Sequence, residues 1–161
     1  MINNDILRRL RYALDLSDPA MITIFKLSGH DITQQELIGI LKKEEETGYF
    51  DCGNALMTLF LDGLIIHKRG QKGPASGHAE NNDALLTNNL ILKKLRIALE
   101  LKEEDLLAVM KLADVVISKS ELSALFRNKG HKNFKECGDQ FLRNFLKGLT
   151  IRSRNIVPHS N

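Results

Sequence analysis

The strongest constraint on the fold of this chain is an internal duplication. Residues 3–16 read NNDILRRLRYALDL, and residues 88–101 read NNLILKKLRIALEL. The match continues without a gap, and about a third of all aligned positions are identical. Two copies fall short of the three or more repeats that an extended solenoid needs, so we expect a compact pair of units related by a pseudo-twofold axis.

The two copies define the domain organisation. Repeat 1 covers residues 3–69 and repeat 2 covers residues 88–154. Residues 70–87 between them are rich in Gly, Ser, Asn and Pro, the composition of a flexible linker, and residues 155–161 form a tail. Because 43% of the residues are apolar, a chain of this length fills a core without disulfides or a metal ion.

Each repeat is predicted to begin with two helices. In the first helix, apolar residues recur at the 3.6-residue spacing of one buried stripe. We expect its N-terminus to be capped by Asn3 in repeat 1 and by Asn88 in repeat 2. The second helix begins near Asp18 in repeat 1, where Pro19 occupies a first-turn position that tolerates proline.

The third helix has the clearest start signal in the chain. Thr33 is followed three residues later by Glu36, and Ser118 is followed in the same way by Glu121. Both pairs are capping boxes, in which the hydroxyl and the carboxylate each satisfy a backbone N–H at the helix start. The sequence therefore predicts that a helix begins at each of these two positions.

A fourth helix of each unit is predicted to begin around Asp51 or Glu136. Gly63 and Gly148 are each followed by leucine, which is typical of a left-handed cap after the last helical turn. Beyond these glycines β-forming residues are frequent, so a short strand and a continued helix are both open. The segments concerned are residues 64–69 and 149–154. The predicted fold is mainly α, with two tandem pseudo-symmetric units of about four helices each.

Charge is divided unevenly between the two copies. Residues 1–70 contain 8 Lys and Arg against 10 Asp and Glu, a net charge of −2. Residues 88–154 contain 14 against 8, a net charge of +6, so an anionic partner would prefer repeat 2. Because the sequence has neither a run of 18 apolar residues nor a signal peptide, we expect a cytoplasmic protein without a membrane partner.

Motifs for catalysis, cofactor binding and metal binding are not found, so we expect no enzymatic activity, no cofactor and no metal site. Cys52 and Cys137 occupy equivalent positions, in what we predict to be the first turn of the fourth helices. A helix N-terminus lowers the pKa of a thiol, which makes reactive thiols one interpretation. The favoured interpretation is that both cysteines pack as small buried residues.

Basic residues are the best candidates for a binding site. The first helix is cationic on its polar side in both copies, and repeat 2 adds further Lys and Arg. Such residues form either a solvated face or contacts to a phosphate backbone or an acidic partner. The candidate contacts are Lys93, Lys94, Arg96, Arg127, Arg143, Lys147, Arg152 and Arg154.

The repeated pattern resembles that of the YehS-like bacterial family. It consists of Asn-Asn-x-Ile-Leu-(Arg/Lys)-(Arg/Lys)-Leu-Arg-x-Ala-Leu, followed later by Cys-Gly and by Phe-Leu-x-Gly-Leu, and it extends from Asn3 to Arg154. The resemblance implies two copies of a small domain of unknown function in a cytoplasmic protein. It implies no activity, cofactor or catalytic residue.

A second resemblance is to winged-helix DNA-binding domains. Residues 27–33 are similar to the turn between two helices of such a domain, and residues 63–70 are similar to its strand and the entry to a basic wing. This architectural resemblance implies DNA binding only by analogy. The additional helix and the net negative charge of repeat 1 depart from the winged-helix pattern.

Two hypotheses about function follow. The favoured one is a non-enzymatic module that binds an unknown protein partner, because the duplication carries no shared catalytic constellation. The alternative is nucleic-acid binding through the basic repeat 2. The second hypothesis requires the cations of repeat 2 to form one contiguous face and not to be dispersed among acidic residues.

Overall fold

The computed structural model describes residues 1–70 and 86–154, and in these residues the chain forms eight helices and no strand. The mainly α prediction is confirmed. Most of the predicted linker (residues 70–87) and the predicted tail (residues 155–161) lie outside the described residues. The helices are α1 (Asn3–Ala13), α2 (Asp18–Leu27), α3 (Gln34–Ile40), α4 (Asn54–Arg69), α5 (Asn88–Leu99), α6 (Glu103–Leu112), α7 (Lys119–Leu125) and α8 (Asp139–Arg154).

Each repeat packs its first helix on the last helix of the other repeat. Helix α1 lies against α8, and α5 lies against α4, while α2 packs on α4 and α6 on α8 within their own repeats. The N-terminal ammonium contacts Asp139 at 2.7 Å, and at the other end Arg154 contacts Asp15 at 3.4 Å, so α1 and α8 run parallel. One continuous apolar core therefore extends through both repeats.

A buried asparagine in α1 binds the loop between α3 and α4. The Asn4 side chain donates to the carbonyl groups of Ile40 and Phe50, at 2.9 and 3.0 Å. Its Oδ1 accepts from the backbone N–H of Cys52 at 3.0 Å. Since a buried polar group without partners costs about 1–3 kcal/mol, these bonds fix the loop between α3 and α4 against α1.

Repeat 2 reproduces this arrangement bond for bond. Asn89 donates to the carbonyl groups of Leu125 and Lys135, both at 2.9 Å, and accepts from the N–H of Cys137 at 2.9 Å. The preceding asparagine, Asn88, donates to the carbonyl group of Cys137 at 3.1 Å. The Asn-Asn pair thus anchors a distant loop in both copies.

This anchoring role corrects the prediction that the first asparagine caps the helix. Asn3 is already helical, and the N-cap residue of α1 is Ile2, which has no side-chain cap bond. In repeat 2 the N-cap of α5 is Thr87, whose side chain accepts from the N–H of Leu90. The asparagine side chains are turned toward the loops, where they satisfy buried backbone groups.

Other predicted helix starts are confirmed. The capping boxes of Thr33 with Glu36 and of Ser118 with Glu121 are both present. Helix α2 begins at Asp18 with Pro19 in its first turn, behind the N-cap Ser17. The local hydrogen bonds of these motifs involve residues three positions apart, so the sequence alone specifies them.

The predicted ends of the fourth helices are wrong. Helices α4 and α8 begin at Asn54 and Asp139, three residues after the predicted starts at Asp51 and Glu136. They continue through Gly63 and Gly148, which are therefore not left-handed caps.

Instead, the two glycines allow close helix crossings. A Cβ atom at Gly63 would lie 1.9 Å from the backbone oxygen of Ile24 in α2, and one at Gly148 would lie 2.0 Å from that of Val109 in α6. Each glycine is conserved between the copies because a side chain would push the two helices apart.

Residues 64–69 and 149–154 are helical, so of the two alternatives that the sequence left open the continued helix is the one found. The winged-helix resemblance placed its strand and wing entry at residues 63–70, and these are also helical up to Arg69. The described residues therefore do not form a winged-helix domain. Among them, no helix combines the length and the apolar character that crossing a membrane requires.

We expect Gly148→Ala to lower the free energy of unfolding by about 1–3 kcal/mol or more, because the added methyl group overlaps the backbone of α6. Gly63→Ala should have a similar effect through α2. Urea denaturation followed by circular dichroism measures both. Gly53→Ser is the control, since a Cβ at Gly53 meets nothing within 4 Å and serine is a favoured N-cap residue. Equal losses for all three variants would contradict the close-crossing role.

Candidate anion-binding site

The two cross-repeat helix pairs, α4 with α5 and α1 with α8, occupy equivalent positions in the pseudo-symmetric fold. Between α4 and α5, Lys94 Nζ lies 2.6 Å from Asp62 Oδ1. The side chains are only 15% and 23% exposed, so the ion pair is partly shielded from water. It joins repeat 1 to repeat 2 in the middle of the helix pair.

The equivalent residues between α1 and α8 are both cations. Arg9 corresponds to Lys94, and Lys147 corresponds to Asp62. Both are exposed, and both line the same groove between α1 and α8. Within residues 1–70 and 86–154, neither forms an ion pair with an acidic side chain. The position that holds a carboxylate between α4 and α5 therefore holds an ammonium group between α1 and α8.

The groove between α1 and α8 has a volume of about 730 Å³. We call it the α1–α8 groove. It carries Arg8, Arg9 and Tyr12 from α1, and Gln140, Arg143, Asn144, Leu146, Lys147, Thr150 and Ile151 from α8. Its polar side chains can all donate hydrogen bonds, and among the residues that the structure describes no Asp, Glu, His or Cys lines it.

The four cations of the groove differ in how they are neutralised. Arg8 is ion-paired to Asp5 and also donates to the carbonyl group of Lys42 at 2.9 Å. Arg143 donates to Oε1 of Gln140 at 3.0 Å and forms no direct ion pair with a described carboxylate, although its charge helps to lower the pKa of Asp139. Together with Arg9 and Lys147, the groove thus holds three cations for which the described residues supply no ion-pair partner.

Asp139 lies near the start of the groove but is already occupied. Its carboxylate accepts from the N-terminal ammonium at 2.7 Å and from Asn88 at 2.8 Å. These hydrogen bonds, first the one from the ammonium, lower the pKa of Asp139 below its ordinary value. The carboxylate is therefore charged at neutral pH and is held at the helix ends, where it neutralises the chain terminus.

A second cleft adjoins the α1–α8 groove at its C-terminal end. Arg8 and Tyr12 line both, and Arg154 lines only the second. The Arg154 guanidinium stacks on the Tyr12 ring at 4.2 Å and donates to the Tyr12 carbonyl group at 2.8 Å. Tyr12 nevertheless remains 56% exposed. It offers an aromatic surface beside the cations of the groove.

Of the cations predicted from repeat 2, several are engaged within the fold. Lys94 is bonded to Asp62, and Arg154 lies 3.4 Å from Asp15. Arg96 stacks over Phe126 at 4.7 Å and donates to a backbone carbonyl group. These three side chains tie parts of the fold together and are not gathered at one surface.

The remaining predicted cations lie in different places. Lys93 is exposed on α5, Arg127 follows α7, and Arg152 lies 4.0 Å from Asp105. Only Arg143 and Lys147 come together in one groove. The eight candidates therefore do not form one face of repeat 2, and the basic groove draws half of its cations from repeat 1.

The contacts predicted from the sequence do not include five polar residues of the groove, which are Arg8, Arg9, Tyr12, Gln140 and Asn144. A signal for them is present in the sequence, because the exchange of Asp62 for Lys147 is a charge reversal between otherwise similar helices. Knowing that this position faces Arg9 required the helix pairing, which joins residues far apart in the chain.

The two cysteines are buried, at 2% and 5% exposure, as the structural interpretation predicts. They lie in the loops before α4 and α8 and not in the first helical turns, which corrects their predicted position. Burial raises the pKa of Cys52 to about 12, with a smaller contribution from Asp51, and that of Cys137 to about 11, with a contribution from Asp139. Both thiols are protonated at neutral pH. In the part of the chain that the structure describes, no cluster of His, Cys, Asp or Glu is arranged to bind a metal ion.

Comparisons with known proteins identify the same two repeats. Residues 3–70 and 88–155 each match a family described as "Protein of unknown function (DUF1456)". The chain is 41% identical over 152 residues to "Uncharacterized protein YehS" of Escherichia coli K12. The aligned region covers 94% of this chain and 96% of that protein. No solved structure matches the chain.

We expect Cys52 and Cys137 to react with iodoacetamide at pH 7.5 at least tenfold more slowly in the folded protein than in the protein unfolded by urea. The raised pKa values leave little thiolate, and burial excludes the reagent. Mass spectrometry of samples quenched over time gives the two rates. Rapid labelling of either cysteine in the folded chain would restore the reactive-thiol hypothesis.

Proposed function

Because the chain belongs to the DUF1456 family, whose description names no activity, we propose its function from the site: a non-enzymatic binding module that holds an anionic partner in the α1–α8 groove. The observation that supports this proposal is the mismatch between the two helix pairs. Lys94 contacts the Asp62 carboxylate between α4 and α5, whereas between α1 and α8 the equivalent residues, Arg9 and Lys147, are two cations that line one groove.

Placing two cations in one groove has an energetic consequence. Like charges that share a site repel each other, and the repulsion is larger in a cleft than on an open surface because the protein walls lower the effective dielectric constant. An anion between Arg9 and Lys147 removes this repulsion and replaces the carboxylate that Asp62 provides on the other side. The groove is thus complementary to negative charge.

The groove residues favour binding over proton transfer. Its titratable side chains are Arg, Lys and Tyr, and the arginines keep their protons at any physiological pH. General acid–base catalysis works best with a group whose pKa lies near the working pH, such as His or a perturbed carboxyl group. The groove therefore supplies fixed positive charge and hydrogen-bond donors.

Repeat 2 alone does not meet the requirement of one contiguous cationic face, but an acidic protein and a nucleic acid both fit a groove that the two repeats build together. An acidic protein segment presents carboxylates, and a nucleic acid presents phosphates, and either neutralises the same cations. The site combines Arg8 and Arg9 of repeat 1 with Arg143 and Lys147 of repeat 2. The two copies therefore act together and not as separate binding domains.

The substitution Lys147→Asp tests the proposal, because it rebuilds the Lys94–Asp62 pairing on the other side of the molecule. We expect the free energy of unfolding to rise by up to about 1 kcal/mol, since a new ion pair with Arg9 replaces a repulsion. We also expect the variant to elute from immobilised heparin, used as a general polyanion, at clearly lower salt than the wild type.

Lys93→Asp provides the matched control, since it changes the net charge equally at an exposed position outside the groove. Elution of the two variants at the same salt concentration would show that heparin senses only net charge and would contradict the groove as the binding site.

A further inference from the structure

We infer that the anionic partner is a single strand of nucleic acid, bound with its phosphodiester backbone along the α1–α8 groove and an unpaired base against Tyr12. This inference rests on the proposed function and identifies the partner of the same site. Three observations support it: the pattern of replacements along α8, the spacing of the donors, and the exposed aromatic ring.

Five of the seven α8 residues that line the groove differ from their counterparts in α4 in a consistent direction, whereas outside the groove Asn54 and Lys68 correspond to Asp139 and Ser153, a change toward negative charge. Where α4 has Ala, Thr, Leu, Asp and Ile, the equivalent positions of α8 have Gln, Arg, Asn, Lys and Thr. Each change either adds hydrogen-bonding capacity or replaces an acid by a base. The positions in α8 are Gln140, Arg143, Asn144, Lys147 and Thr150.

These replacements argue against a helix docked by apolar contacts. A helix that binds in a groove needs apolar anchors at successive turns of its partner surface. Here Asn144 and Thr150 stand where the other helix pair has Leu59 and Ile65. At these two positions α8 has hydrogen-bonding side chains in place of apolar anchors, while Leu146, Ile151 and the Tyr12 ring keep much of the lining apolar. The two replacements favour an extended polyanion over an apolar-anchored peptide.

The donors of α8 form a regular row. Gln140 precedes Arg143 and Asn144 by three and four positions, and these two precede Lys147 by four and three, so each of these pairs of side chains lies about 5–6 Å apart on the helix surface. Arg9 of α1 lies on the opposite wall of the groove. Arg, Lys, Asn and Gln are the side chains that commonly contact phosphate oxygens in nucleic-acid complexes. In such a site Arg143, Lys147 and Arg9 would neutralise phosphates of one strand, and the amide groups of Gln140 and Asn144, which are hydrogen-bonded to each other at 3.3 Å, would add polar contacts.

Tyr12 adds what a phosphate-binding row lacks. Proteins that bind single strands combine a positively charged groove with aromatic rings on which bases stack. Tyr12 lines the groove, is 56% exposed, and is supported by the Arg154 guanidinium, which stacks on its ring at 4.2 Å. Bases paired in a duplex are already stacked and do not offer a face to this ring, so the single strand fits better.

The test uses the full chain and fluorescein-labelled 20-nucleotide oligo(dT) and oligo(U), with fluorescence anisotropy as the readout at several salt concentrations. We expect the logarithm of the association constant to fall with the logarithm of salt with a slope of about −2, as three phosphate contacts to a single strand predict. The double variant Arg9→Gln/Lys147→Gln should bind at least tenfold more weakly.

Two matched controls separate site-specific effects from net charge and from packing. Lys93→Gln/Lys119→Gln removes the same charge at exposed positions outside the groove and should change the affinity less than threefold. Tyr12→Ser should weaken binding roughly 5- to 100-fold through loss of base stacking, whereas Tyr12→Phe should retain the wild-type affinity.

The outcomes separate this inference from the proposed function. If neither oligonucleotide binds through the groove while heparin retention still depends on Lys147, the anion-binding function stands and the nucleic-acid inference is overturned. Tighter groove-dependent binding of a 20-base-pair duplex, or of a polyglutamate peptide of equal length, would also overturn it. If heparin retention is unaffected by Lys147→Asp as well, both proposals fall.

Discussion

The packing of each first helix on the last helix of the other repeat is the constraint on which the rest of the structure depends. It joins α1 to α8 and α5 to α4, and one apolar core extends across both repeats. Gly63 and Gly148 let α4 and α8 approach α2 and α6 closely, and the Asn-Asn pairs hold the loops that precede α4 and α8. Because these features recur in both repeats, the two helix pairs occupy equivalent positions.

Equivalent backbones make a difference between side chains informative. Asp62 and Lys94 neutralise each other in one groove, and this bond contributes to the association of the repeats. Between α1 and α8, Lys147 stands at the position equivalent to Asp62. The ion pair that joins α4 to α5 therefore has no counterpart between α1 and α8. Burial, capping and packing do not explain this exchange, which is why we propose that an external anion binds there.

The sequence predicted the features that depend on residues close in the chain. The repeats, the capping boxes of α3 and α7 and the start of α2 at Asp18 all follow from short spacings. The sequence predictions were wrong where a residue's role depends on a distant part of the chain. Gly148 was predicted to end a helix, but it lies against Val109 of another helix, and Asn3 was predicted to be a cap, but it donates to the carbonyl group of Cys52 in a distant loop. For the same reason only two of the four cations of the site were predicted. Arg143 and Lys147 were among the candidates from repeat 2, whereas Arg8 and Arg9 of repeat 1, which line the same groove, were not.

The most direct test of anion binding in the α1–α8 groove is to find out which residues the bound anion contacts. Backbone amide chemical shifts of the ¹⁵N-labelled protein, recorded during titration with unlabelled oligo(dT), report which residues sense the ligand. If the anion binds in the α1–α8 groove, we expect the perturbed amides to concentrate on the facing turns of α1 and α8, around Arg9, Tyr12, Arg143 and Lys147. Perturbations centred instead on α4 and α5, around Asp62 and Lys94, or spread evenly over exposed lysines, would contradict it.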